Sequence, residues 1–205
     1  MAGIRKSDTP NKMGTPAEAF ARLLEVLDRM EIPYAVGGSV ASSAHGIPRT
    51  TLDVDLVVDL KLDQIDGFAA ELHKEFYADA ALIREAFARG RAANLIHLGT
   101  AWKFDLFPLR NDEYSRTEFA RRSFREIRPD GGEAIECAVS SAEDTVLRKL
   151  EWYRAAGEIS ERQWNDLRGV CATANRRLDV AYLRQWAPKL KVEDLLEKLL
   201  GEFGL

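Results

Sequence analysis

The feature that most constrains this chain is a change of pattern near Ser140. Before it, short β-branched runs alternate with amphipathic helical stretches; after it, every periodic segment is helical. A chain of 205 residues written this way predicts an α/β (α+β) architecture, a small mixed sheet flanked by helices, closed by a helical C-terminal part. The boundaries that follow are a polar tail over 1–14, an α/β domain over 15–139 and a helical part over 140–205.

Within the first part, Thr15-Pro16 supplies an N-cap and a proline at the first helical position, so a helix is expected over 16–31. Tyr34-Ala-Val36 reads as a buried strand running into Gly37-Gly38-Ser39 and a short helix of small residues. Leu52–Asp59 is a strand, 62–76 and 80–89 are helices, and 93–98 with 101–107 form a hairpin turning at Gly99-Thr100. Residues 112–121 are helical, and 124–128 with 134–139 form a second hairpin. Helices follow at about 141–156, 161–175, 179–187 and 191–202, the first two carrying capping-box spacings at Ser140/Glu143 and Ser160/Gln163.

Composition narrows the chemistry. Two cysteines and three histidines provide neither a disulfide framework nor a zinc site. A net charge of −4 argues against coating nucleic acid by bulk charge. No apolar run reaches the ~20 residues of a membrane span, and no secretory signal opens the chain, so a cytoplasmic protein is expected. What remains is chemistry carried by oxygen ligands.

Such ligands are concentrated at Asp53-Val-Asp55. Residues two apart on a strand share a face, so these carboxylates lie side by side and repel unless a cation or a proton intervenes. Asp105 interrupts the apolar strand Lys103–Phe107, and a metal shared with Asp53 and Asp55 would compensate its burial. Paired hard oxygens suit Mg²⁺, with Mn²⁺ as the alternative. Gly38 and Ser39 sit at a strand-to-helix junction, where backbone N–H groups dock phosphate. Arg49 precedes the acids and either touches a triphosphate or braces the loop, as does Thr51. Each feature also has a plain reading: Gly-Gly-Ser as a turn, the acids as solvated strand-edge charges.

Together, Gly38-Ser39, thirteen residues, Asp53-Val-Asp55 and the later Asp105 resemble the signature of the polymerase-β-type nucleotidyltransferase superfamily. Ile47-Pro-Arg-Thr-Thr51, Glu143–Trp152 and Ser160–Asp166 are similar to its AbiEii-like and uncharacterised bacterial group, some of whose members are toxins of toxin–antitoxin pairs. The resemblance covers about residues 16–172. It implies a nucleotidyltransferase fold and an enzyme that moves a nucleotide from an NTP to an acceptor hydroxyl on RNA, tRNA, protein or a small molecule. Two Mg²⁺ ions about 3.5–4 Å apart would sit on Asp53, Asp55 and Asp105. It further implies Lys149 on nucleotide phosphates, Asp166 near the cleft, and an antitoxin partner. From the residues alone, Lys149 equally suits a snorkelling helix-edge lysine, and Asp166 an ion pair with Arg148 or Arg162. A non-catalytic binding module and an antibiotic-modifying transferase are the competing functions. The basic run Arg121–Arg128 reads either as solvated surface or as an acceptor contact, and His45 and His97 as structural.

Overall fold

A computed structural model describes residues 14–48, 51, 53–128, 132–174 and 177–205, so the expected tail (1–13), Arg49 and the turn at 129–131 lie outside the described residues. Thr15 caps the first helix through a capping box: its hydroxyl accepts from the Glu18 N–H at 3.1 Å, and Glu18 Oε2 accepts from the Thr15 N–H at 2.7 Å. The elements in chain order are α1 (Pro16–Arg29), β1 (Tyr34–Val36), α2 (Gly38–His45), β2 (Asp53–Val58), α3 (Ile65–Leu72), β3 (Phe76–Tyr77), α4 (Ala80–Ala88), β4 (Ala93–His97) and β5 (Lys103–Pro108). They continue with α5 (Glu113–Ala120), β6 (Ser123–Ile127), β7 (Ile135–Val139), α6 (Ala142–Ala155), α7 (Glu161–Ala174), α8 (Val180–Trp186) and α9 (Glu193–Gly201).

Seven strands form one mixed sheet in the order β3-β4-β5-β2-β1-β7-β6. The central pair β2–β5 and the pair β1–β7 are parallel, and the remaining pairs are antiparallel. One face of β2 and β5 buries Val54, Leu56, Val58, Phe104 and Leu106 against Phe20, Leu23 and Leu27 of α1 and Phe68 and Leu72 of α3. Each of these buried side chains contributes roughly 1.5–3 kcal/mol by leaving water. Phe104 centres a ring cluster with Phe20, Phe76 and Trp102 at 5.8–6.0 Å. A second cluster of buried side chains joins Val146, Leu147 and Leu150 of α6 to Leu167 of α7, Trp186 of α8 and Leu199 of α9.

Three sequence expectations are corrected. The helix expected over 62–76 stops at Leu72, and Phe76–Tyr77 instead pair with His97 and Ile96 as an edge strand. The turn between β4 and β5 is longer than two residues: the His97 N–H donates to Trp102 O, which closes a loop over 98–101, and within it the Ala101 N–H donates to His97 O, with Ala101 left-handed at φ 57°. The N-cap of α6 is Ser141, whose hydroxyl accepts from the Asp144 N–H; the Ser140 N–H is used in extending the parallel pairing, donating to Val36 O.

The small residues of α2 are explained by close packing. A Cβ on Gly46 would come within 2.9 Å of backbone atoms at Gly169, Val170 and Ser42, so α2 lies backbone-to-backbone against α7.

Candidate active site

The face of the sheet opposite the α1–α3 core carries the acids. Burial alternates along β2, with Val54, Leu56 and Val58 inward and Asp53, Asp55 and Val57 on the other side. β5 alternates in step, and the parallel register sets Asp55 opposite Asp105 and Asp53 opposite Lys103. Three carboxylates contributed by two strands about fifty residues apart are thereby brought onto one patch.

Their surroundings differ. Asp53 Oδ1 accepts a hydrogen bond from the Thr51 hydroxyl at 2.7 Å, so Thr51 braces the acid. Asp105 Oδ2 pairs with Lys103 Nζ at 2.8 Å, while Asp105 Oδ1 is buried without a hydrogen-bond partner. Asp55 is the most strained electrostatically: burial, then the neighbouring charges of Asp53 and Asp105, push its carboxyl up to about 6. Lys103 and Lys149 partly offset that rise. The same acids hold the Lys103 ammonium above its ordinary value, chiefly through the Asp105 contact. Among the described residues no three carboxylate, imidazole or thiol side chains are close enough together to cage an ion as they stand. The orphaned Asp105 oxygen and the crowded Asp55 nevertheless make an all-oxygen donor set that fits a hard divalent cation.

Gly38 touches this patch directly. The Gly37 N–H donates to Asp55 O at 2.9 Å, and Gly38 opens α2 at φ 55°, a left-handed conformation natural to glycine. A Cβ there would overlap the Asp55 carboxylate. The first turn of α2, Gly38 and Ser39, therefore begins beside the acids.

Lys149 and Asp166 come together rather than apart. Lys149 Nζ donates to Asp166 Oδ2 at 2.8 Å, bridging α6 and α7. Asp166 is thus tied to Lys149, not to Arg148, which pairs with Glu118 and Glu151. The pull Lys149 exerts on Asp55 puts its charge within range of the acids.

The other described candidates have partners within the fold. Arg121 caps α5, at the end of the helix expected over 112–121, and reaches Asp144 and Glu143. Arg122 lies over the Phe119 ring, and Arg128 pairs with Glu126. His45 Nε2 meets Ser140 O at 2.7 Å, and His97 Nδ1 meets the Thr100 hydroxyl at 2.9 Å. Sequence reasoning missed Lys103; its alternation with Asp105 on β5 was the available signal.

No protein-family model and no curated protein sequence matches the chain. Solved structures do. The crystal structure of ANT(2")-Ia in complex with adenylyl-2"-tobramycin aligns at a TM-score of 0.52 and 15% identity, over 86% of this chain and 98% of that one. The chain has a nucleotidyltransferase fold. Two further structures lie below that score. An antigenic nucleotidyltransferase-like protein from Paracoccidioides brasiliensis gives 0.46 at 20% identity, over 86% of this chain and 92% of that one. The lincomycin-bound lincosamide adenylyltransferase LnuA gives 0.45 at 14% identity, over 76% and 96%. Within the nucleotidyltransferase fold of this chain, no described helix is long and apolar enough to cross a membrane.

Proposed function

We propose that the chain is a divalent-metal-dependent nucleotidyltransferase, moving a nucleotide from an NTP to an acceptor hydroxyl with release of pyrophosphate. The observation that carries this reading is the register of β2 with β5, which sets Asp55 against Asp105 beside Asp53 at the start of α2. Asp53, Asp55 and Asp105 would hold Mg²⁺ or Mn²⁺, which when bound supplies positive charge for the triphosphate and the attacking oxygen. Loading the site requires Lys103 to leave Asp105 Oδ2.

The chain's own groups do the rest. Backbone N–H groups of Gly38 and Ser39 bind phosphate oxygens at the positive end of α2. Asp105 takes the acceptor hydroxyl proton as the acceptor oxygen bonds to the α-phosphorus and the bond to the leaving pyrophosphate breaks. Lys149, held by Asp166, balances the charge of the departing pyrophosphate. In this reading Asp166 positions Lys149 and does not meet the nucleotide. Arg49, which precedes the acids in the sequence, completes the proposal as a phosphate contact.

A second reading, a drug-modifying transferase, is favoured by the adenylyl-tobramycin bound to ANT(2")-Ia. One experiment addresses both. The protein is incubated with each α-labelled NTP, Mg²⁺, and in turn total RNA, total protein and hydroxylated small molecules including aminoglycosides. Label is expected in one acceptor class: RNA or protein agrees with the toxin-like function and its antitoxin, an aminoglycoside with the second reading. No transfer from any NTP to any acceptor sinks the enzyme assignment.

A further inference from the structure

Beside Asp105, the acid face of the sheet is open. Asn94 of β4 lies opposite Asp105, Ile96 lies opposite Lys103, and both are exposed. Two residues along β5, Phe107 shares the Asp105 face, and Trp152 of α6 packs edge-on against it with centroids 5.9 Å apart and planes at 86°. Trp152 is 56% exposed, whereas Trp102, Trp164 and Trp186 are buried. Lys149 stands one helical turn before it. An aromatic ring held edge-on against Phe107, with more than half of its residue exposed, stands on the helix that carries Lys149.

Resting on the proposed transferase reading, we propose that Trp152 and Phe107 form the acceptor ledge. Its occupant is a hydroxylated acceptor presenting a flat, uncharged ring, as the exposed base at the end of a nucleoside chain does. Position assigns the ledge to the acceptor: Phe107 follows Asp105, the acid placed to take the hydroxyl proton, by two residues on the same face of β5. Charge selects the ring. Glu151, next to Trp152, is paired with Arg148, and Asp166 with Lys149. Apart from the three acids of the site, a polycationic acceptor finds no uncommitted carboxylate among these neighbours. A base stacked on tryptophan needs none.

The test reads Trp152 fluorescence, since the other three tryptophans are shielded. The dinucleotide ApA, tobramycin and the non-transferable donor α,β-methylene-ATP are titrated separately, with Mg²⁺. ApA is expected to quench the exposed tryptophan. Trp152→Leu should remove that quenching, weaken ApA binding by calorimetry about tenfold or more, and leave the affinity for α,β-methylene-ATP unmoved. Trp152→Phe should restore most of the ApA affinity. Quenching by tobramycin but not ApA overturns the choice of ring. Stronger quenching by the NTP analogue than by ApA overturns the acceptor assignment, and unchanged ApA binding in Trp152→Leu overturns the ledge. ApA that quenches yet accepts label from no NTP contradicts the transferase reading while upholding the ledge, so the two failures are distinguishable.

Discussion

Two carboxylate centres in this molecule, one buried and one half-buried, are finished to different degrees. Asp144, at the start of α6, is fully buried, and each oxygen is saturated. Oδ1 accepts from the Tyr114 and Tyr182 hydroxyls at 3.2 and 2.6 Å; Oδ2 accepts from the Ser141 hydroxyl and Arg121 Nε at 2.6 and 3.2 Å. That network ties α5, α6 and α8 together and asks nothing of solution. The Asp53–Asp55–Asp105 patch is left incomplete, with like charges facing each other and one buried oxygen without a donor. A buried acid with its own complement of donors supports the fold, whereas one lacking them is set up for a ligand the chain does not contain.

The contrast can be broken experimentally. The largest effect is expected for Asp55→Asn: nucleotide transfer should fall by roughly a thousandfold or more, since ligand-assisted charge stabilisation of several kcal/mol is lost. The same variant in EDTA at pH 7.5 should be more stable than wild type by about 2 kcal/mol in urea, because a crowded charge has been removed. Asp144→Asn should do the reverse, costing about 3 kcal/mol in the same urea titration whether or not Mg²⁺ is present. If both variants destabilise alike, the two centres are equivalent and the distinction fails.

Smaller effects sharpen it. Lys103→Met removes a half-exposed partner of Asp105, so metal-free stability should change by less than about 1 kcal/mol. Its Mg²⁺ affinity by calorimetry should rise several-fold, because no ammonium competes for Oδ2. The smallest effect concerns His45, whose imidazole is held below its ordinary value by burial. Protonation therefore favours the unfolded chain: the stability contributed by neutral His45 is complete above about pH 6.5 and declines as pH falls below it. Replacing His45 with Asn should flatten that acid-side slope in thermal melts across pH 5–8.

The acid pair was legible in the sequence because strand periodicity is local: Asp53 and Asp55 share a face whatever the rest of the chain does. Asp105 was legible as an acid in an apolar strand. Its pairing with Lys103 and its register opposite Asp55 were not, since both depend on which strands become neighbours. The same limit explains β3, whose two residues continue an apolar helical spacing and become a strand only through β4, some twenty residues later. Asp144 gave no signal at all. First-turn acids are common on exposed helices, and its burial arises from tyrosines thirty and thirty-eight residues away.

The contact of Gly46 with Gly169 bears on how such a protein can be taken apart. By chain order α2 belongs to the sheet, following β1 after a single residue; by contact its far end belongs to α7. A chimera that exchanged everything after Ser140 for another helical half would keep the turn at Gly38 beside Asp55 but lose the surface that seats the other end of its helix. The exchangeable unit is therefore discontinuous, and residues 37–48 would have to travel with the C-terminal helices.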